Sequence, residues 1–391
     1  MQVDAIKDKV AIIGTGCSKF GENWGMSADD MIIDSVKEAY QDAGIESDAI
    51  NAAWVSTVVS GYSGYTISTP LKLPHIPVTR VENLCASGMD GLRNAAFAVA
   101  CGVYDIVLVV GVEKLKDSGY SGLPEFFFHP AYGQGYTAPG RWALFATKYF
   151  MTYGIKPEAG KRALGKISVK NHYNGTFSPK AHFQKEVDLE KVINAPIIAS
   201  PLGLFDCCPT TDGAAAAILC NADLASSFTD DYVLIKGFGL AVGPGLGKEN
   251  IDYQYDHLPE TEIAGKQAYD AAGIKDPRNE ISLAQVHDCF TIAELAEYEA
   301  LGFCEKGTAL DEIKNGRFTL KGEQPVNSDG GLKSFGHPIG ATGIRMCIDL
   351  YTQLTGKAGP RQIKDPKIGL AMAQGGHPGM LLPIVTILGA R

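Results

Sequence analysis

Four side chains have the type and setting to carry chemistry: Cys85, His287, Cys289 and His337. Cys85 stands in Asn83-Leu84-Cys85-Ala86-Ser87-Gly88, just ahead of an apolar helical pattern. Its thiol therefore falls at a helix N-terminus, where the dipole and free N–H groups favour a thiolate. Gly336-His337-Pro338-Ile339-Gly340-Ala341-Thr342-Gly343 holds an imidazole in a glycine-rich turn before a second helix. A thiol beside an imidazole is the minimal apparatus of covalent acyl transfer. His287-Asp288-Cys289-Phe290 follows an apolar strand and sets a second imidazole and a second thiol at a strand's C-terminal end, where α/β proteins place their sites. Gln374-Gly375-Gly376, after the last apolar strand, can bring backbone N–H groups to a developing oxyanion. Each has a plainer alternative. A cysteine ahead of a helix can be a buried cap, a histidine can brace a tight turn, four residues around Cys289 say little alone, and a Gly pair can be only a turn.

What must position these residues is a chain that partly repeats itself. Ala39-Tyr40-Gln41-Asp42-Ala43-Gly44-Ile45 is echoed by Ala268-Tyr269-Asp270-Ala271-Ala272-Gly273-Ile274, each ending a helical pattern with Gly at the C-terminal cap. Apolar strands follow, at Ala53-Trp54-Val55 and Ala284-Gln285-Val286. Gly88, Gly91 and Arg93 then map onto Gly340, Gly343 and Arg345 at a constant offset of 252, and that offset carries Cys85 onto His337. Buried-strand patterns close both units, at Ile106-Val107-Leu108-Val109-Val110 and Ile368-Gly369-Leu370-Ala371-Met372. The expected architecture is a duplicated βαβ-type α/β fold with parallel sheets covered on both faces. The pattern breaks over residues 114–205, read as an inserted domain, and returns at Asp212 to Leu219, which should complete the first sheet. The expected division is residues 1–113 for the first half, completed by about 206–227, and 228–391 for the second.

Composition bounds the partners. A formal charge of −9 argues against a general nucleic-acid or anionic-membrane binder. Nine cysteines with no CxxC pair fit neither a disulfide framework nor a zinc site. No apolar run reaches the ~20 residues of a membrane span, and MQVDAIKDKV lacks a signal-peptide core, so a cytoplasmic location is expected. Between Lys156 and Lys191 there are eight Lys/Arg against four Asp/Glu, either a solvated helical face or a landing place for an anion.

At these motifs the chain resembles the thiolase family, most closely its sterol-carrier-protein-2-type and archaeal-like branch. The resemblance runs nearly the whole length, through the Cys85 and His337 motifs, the His287 tetrad, Val112-Glu113-Lys114, Lys166 through His172, and Cys207-Cys208-Pro209-Thr210-Thr211-Asp212-Gly213-Ala214. It implies a thiolase fold of two βαβαβαββ-type halves in five αβαβα layers, with residues 114–205 as a loop domain that binds coenzyme A. It implies an acyltransferase that cleaves or forms 3-oxoacyl-CoA through a Cys85 acyl-enzyme. His337 would activate Cys85 and, with His287, bind the thioester oxygen of the enolate. The family's C-terminal Cys-x-Gly cysteine is replaced here by Ala373, so the branch's His-Asp-Cys-Phe loop makes Cys289 the acid/base. The amides of Cys85 and Gly375 would form the second oxyanion site. No metal or permanent cofactor is implied. Coenzyme A is the co-substrate, expected near residues 156–191.

The resemblance also implies a homodimer or dimer of dimers, and beside some members a small zinc-binding OB-fold partner. The aromatic run Phe126-Phe127-Phe128-His129-Pro130-Ala131-Tyr132, continuing through Tyr136, Trp142, Phe145, Tyr149, Phe150 and Tyr153, is either ordinary core or subunit contact, or a pocket for a bulky or aromatic acyl chain such as benzoylsuccinyl-CoA. Acetoacetyl-CoA thiolase and a non-catalytic acyl-CoA-binding scaffold subunit are the alternatives.

Overall fold

A computed structural model describes residues 6–119, 137–245 and 253–391. Its main sheet contains β1 (Val10–Cys17), β2 (Ala52–Ser56), β3 (Val78–Val81), β4 (Ile106–Glu113), β7 (Gly213–Asn221), β8 (Val233–Leu240), β9 (Leu283–Gln285), β10 (Ile368–His377) and β11 (Met380–Ala390). Two short strands, β5 (Ile197–Ala199) and β6 (Leu202–Gly203), form a separate ribbon. The spatial order β3-β2-β4-β7-β1-β8-β11-β10-β9 divides at β1–β8, which share only the pairs Ala11↔Leu234 and Ile12↔Val233.

Two half-sheets therefore face each other through helices. We label α1 (Ala28–Ala43), α2 (Ser87–Ala100), α3 (Ala138–Thr152), α4 (Pro157–Gly175), α5 (Pro259–Ala272), α6 (Thr291–Ala300), α7 (Gly331–Ser334) and α8 (Ile339–Leu354). α1 covers the outer face of β1 and β7, and α5 covers β8 and β11. Between the half-sheets α2 and α8 pack on one another, and α8 touches β4 and β7 on one side and β9, β10 and β11 on the other. The layers run helix, sheet, helices, sheet, helix, as expected from apolar strands that must be covered on both faces.

The repeat is visible in matched details. Gly44 and Gly273 end α1 and α5 in the left-handed region, at φ 67° and 83°, each N–H bonded to the tyrosine carbonyl four residues back. Ala53 pairs in parallel with Val78, and its counterpart Ala284 pairs in parallel with Val326. The repeated glycines let α2 and α8 cross closely. A Cβ on Gly88 would lie 2.5 Å from the Gly340 carbonyl oxygen, and one on Gly343 would lie 2.5 Å from the Met89 nitrogen.

One expectation fails. The half-sheets are mixed rather than parallel: β3-β2-β4 and β9-β10 are parallel, while β4-β7, β7-β1, β8-β11 and β11-β10 are antiparallel. β10 and β11 are joined by Pro378-Gly379 between the paired residues His377 and Met380, a hairpin that can only be antiparallel. Burial on both faces makes such strands read as continuous apolar runs, which periodicity cannot tell from parallel ones. β7 lies between β4 and β1.

Between β4 and β7 lie α3, α4 and the β5–β6 ribbon. Residues 126–132 and Tyr136 fall outside the described residues. The rest of the aromatic run is core, with Trp142, Phe145, Tyr149 and Phe150 buried and Tyr153 packed against them. No helix among the described residues is long and apolar enough to cross a membrane.

Candidate active site

Cys85 ends a strained turn. Leu84 sits at φ 52°, a left-handed conformation that costs a non-glycine residue about 1–3 kcal/mol and persists only where its surroundings enforce it. Here α2 enforces it. The Ser87 hydroxyl donates to the Leu84 carbonyl at 2.5 Å and accepts from the Asn83 N–H at 2.8 Å, while the Asn83 amide donates to Asp90 at 2.5 Å. The turn leaves Cys85 half-buried, two residues before the first residue of α2.

His337 reaches the same point from the other half. The Cys85 sulfur and one ring nitrogen each of His287 and His337 lie within 4.8 Å of one another, and the two imidazoles meet edge to face with centroids 5.1 Å apart. His337 Nδ1 is 2.8 Å from the Thr342 hydroxyl, which is 2.8 Å from the Pro338 carbonyl. The hydroxyl has one proton, which the carbonyl takes, so it accepts from Nδ1–H. His337 Nε2 is thereby left with its lone pair, buried and without a hydrogen-bond partner among the described residues.

A buried carboxylate fixes that turn. Glu113, at the end of β4, accepts from Thr57 Oγ1 (2.9 Å), the N–H groups of Val58 (3.0 Å), Val59 (2.9 Å) and Ser60 (3.0 Å), Ser60 Oγ (2.9 Å) and the Gly340 N–H (3.1 Å). It ties the loop after β2 to the first turn of α8, three residues past His337.

The His287 loop hangs on Asp288. Its carboxylate accepts from the Leu332 N–H (2.6 Å), the Lys333 N–H (3.1 Å) and Asn171 of α4 (2.7 Å). Asn171 also donates to Glu294, which takes Lys170 at 2.5 Å and Asn327 at 3.1 Å, and the Asn327 carbonyl oxygen of the side chain accepts the Val286 N–H at 2.9 Å. Cys289 is buried, and its carbonyl accepts the Cys208 N–H at 2.9 Å. Behind it Glu297 accepts from Gln374 at 2.7 Å. Gly375 lies against the nucleophile turn: a Cβ there would fall 2.7 Å from the Asn83 oxygen, 2.8 Å from Leu84 Cβ and 3.4 Å from the Cys85 nitrogen. Cys85, His287, His337 and Gly375 thus converge from both halves, with Cys289 in the adjoining loop.

The electrostatics correct the thiolate expectation. Burial pushes the Cys85 thiol up to about 12, with Glu113 adding to it, and outweighs the helix terminus. Burial, then the Arg345 charge, lowers His337 to about 3; burial, His337 and Arg345 hold His287 well below the usual imidazole range. The resting pair is a neutral thiol and a neutral imidazole. Cys289 is held well above the usual thiol range by burial, with Cys208, Glu297 and Cys85 adding to it, so it too rests protonated.

The basic stretch divides. Lys161 pairs with Asp206, Lys170 with Glu294, Lys180 with Glu38 and Arg162 with Glu190. Lys185 and Lys191 instead line a cavity of about 640 Å³ whose wall includes His172, Cys207, Cys208 and Lys333. The sequence offered no role for Glu113, Asp288, Glu297 or Lys333, because no spacing rule predicts which buried polar group a tertiary site will need. Cys85, His287 and His337 are the one group among the described residues that could also ligate a metal.

The family model described as thiolase, N-terminal domain matches residues 10–223, and that described as thiolase C-terminal domain-like matches 249–389. An acetyl-CoA acetyltransferase of Methanothermobacter thermautotrophicus is 37% identical over 381 residues, covering 95% of this chain and 97% of its own. Benzoylsuccinyl-CoA thiolase subunit BbsB of Thauera aromatica is 29% identical over 378 residues, covering 95% and 96%. A solved structure titled Ltp2-ChsH2(DUF35) aldolase superposes with a TM-score of 0.85 at 26% identity, covering 98% of each chain. The chain belongs to the thiolase family, enzymes that transfer acyl groups with coenzyme A as a substrate.

Proposed function

We propose that this thiolase cleaves, or in reverse condenses, a 3-oxoacyl-CoA through an acyl-enzyme on Cys85. The observation that carries the reading is the meeting of the Cys85 sulfur, from the first half of the duplication, with His337 and His287, both from the second. As the substrate's 3-keto carbon approaches, the Cys85 sulfur attacks it and the thiol proton passes to the bare His337 Nε2. The bond between carbons 2 and 3 breaks, leaving the acyl group on sulfur and an acyl-CoA enolate. His337, now carrying the proton, and His287 donate to the enolate oxygen, and Cys289 protonates carbon 2. The Cys289 thiolate then takes the proton of incoming CoA, whose sulfur attacks the acyl-enzyme; the Cys85–acyl bond breaks, and the departing Cys85 sulfur recovers its proton from His337 Nε2. The amides of Cys85 and Gly375 hold the oxyanion of that second step. Each such donor contributes roughly 2.7–4 kcal/mol in measured oxyanion holes. Lys185 and Lys191 at the cavity are suited to the CoA phosphates.

For the acyl group two readings have support. Likeness to BbsB favours a bulky or aromatic 3-oxoacyl-CoA, and likeness to the archaeal acetyl-CoA acetyltransferase favours acetoacetyl-CoA. The subunit designation of the one relative and the paired title of the aldolase structure support assembly with a second protein, beside a homodimer. The test is thiolysis of short-chain and aromatic 3-oxoacyl-CoAs by the wild type, Cys85→Ala and Cys289→Ala, with any co-purifying partner retained. Loss in both variants supports the reading. A wild type that binds CoA yet cleaves nothing favours the scaffold alternative.

A further inference from the structure

Lys333 stands out among the buried polar groups that the mechanism does not use. It lies in α7, is 1% exposed, and its Nζ has no hydrogen-bond partner among the described residues. Its side chain lines the cavity that Lys185 and Lys191 share. Its backbone places it beside the reacting groups: the Lys333 N–H donates to Asp288, between His287 and Cys289 in the chain. Cys208, on the same wall, donates its N–H to the Cys289 carbonyl.

A buried ammonium whose Nζ makes no ion pair or hydrogen bond loses its hydration and recovers little of it from a carboxylate that acts only at a distance, unless a ligand brings an anionic oxygen into contact. Asp288 feels the Lys333 charge, which works against the burial that raises its carboxyl, but its oxygens take two backbone amides and Asn171 and make no contact with Nζ. His172 offers no anion either. It is buried on the same wall, its Nδ1 unpartnered, and burial, then the Lys333 charge, holds it neutral. An anionic oxygen of the substrate would supply the contact that Nζ lacks. CoA esters carry two kinds: the phosphates and, in half-thioesters of dicarboxylic acids, a carboxylate on the acyl part. The pantetheine arm separates the phosphates from the thioester, while Lys333 sits next to the loop of Cys289.

We propose that Lys333 is a specificity residue that pairs with a carboxylate on the acyl portion, making this enzyme selective for 3-oxoacyl-CoA substrates that bear a second acid group. The proposal rests on the acyl-CoA reading above and names its substrate class.

Binding separates the two readings without requiring turnover. Calorimetry on the full chain would compare succinyl-CoA, butyryl-CoA and free CoA, in the wild type and in Lys333→Met, alongside a thermal melt. A charge-assisted pair in a buried site predicts roughly tenfold or tighter binding of succinyl-CoA over butyryl-CoA by the wild type. In Lys333→Met that ratio should fall to within about twofold, with CoA affinity unchanged and a melting temperature equal or higher, because an unpaired buried charge is gone. Equal wild-type affinities, with a neutral 3-oxoacyl-CoA still cleaved, would overturn the proposal and leave the thiolase reading standing. An equal loss for all three ligands in Lys333→Met would assign Lys333 to the phosphates instead, and a lower melting temperature with the ratio retained would make it structural. Failure to bind any of the three would sink both readings.

Discussion

The Thr342 hydroxyl accepts the Nδ1 proton of His337 at 2.8 Å because its own proton is committed to the Pro338 carbonyl. A single hydroxyl thus decides which imidazole nitrogen is basic and points it into the site. Thr342→Val removes that acceptor with little change of shape. We expect kcat for thiolysis to fall roughly tenfold to a hundredfold, part of what a positioned base supplies, with KM nearly unchanged. Thr342→Ser should recover most of the rate. An undiminished Thr342→Val enzyme would mean that the tautomer is set elsewhere.

Because burial holds the Cys85 thiol near 12 and His337 near 3, the free enzyme should not contain a thiolate–imidazolium pair. Raised above its ordinary value, the thiol gains thiolate about tenfold per pH unit up to that point. Iodoacetamide labelling of Cys85, followed by peptide mass spectrometry, should accelerate steadily from pH 7 to 10 without levelling near 8.5. Fast labelling independent of pH around 6 to 7 would show an ion pair and contradict the neutral resting state.

Glu113 gathers six donors from two halves of the chain with one carboxylate. Glu113→Gln turns an NH₂ toward buried N–H groups and leaves donors unsatisfied. It should lose at least about 2 kcal/mol of stability by urea unfolding. The rate should fall as well, since the Gly340 N–H anchors the turn carrying His337. Unchanged stability would remove Glu113 from the account.

Gly375→Ala tests the close approach of β10 to the nucleophile turn. A Cβ 2.7 Å from the Asn83 oxygen cannot be accommodated without moving Asn83-Leu84-Cys85. The expected cost is about 1–3 kcal/mol in stability, with a larger relative loss in kcat than in CoA affinity. A variant as active as the wild type would show that Cys85 does not depend on that spacing.

The sequence carried the duplication, and with it the meeting of Cys85 and His337, because the constant offset between Gly88 and Gly340 reflects helices that cross at those glycines. It did not carry strand direction, since β7 and β11 are buried on both faces like parallel strands. Nor did it carry the ionisation of Cys85. The helix terminus is readable from the motif, but the burial that opposes it arises only when both halves close around the site. The roles of Glu113, Asp288 and Lys333 were not legible for the same reason, although the motifs around the first two were: their surroundings come from distant segments, Gly340 at Glu113, Asn171 at Asp288 and the Cys207-Cys208 wall beside Lys333.

The central claim is that Cys85 carries the acyl group while Cys289 moves protons. Its most direct test is the intact mass of Cys289→Ala after incubation with a short acyl-CoA and no free CoA, followed by peptide mapping. The account predicts a gain of one acyl group, mapped to the peptide containing Cys85 and absent from Cys85→Ala. An acyl group on any of the other cysteines, or none under conditions where the wild type turns over, would contradict it.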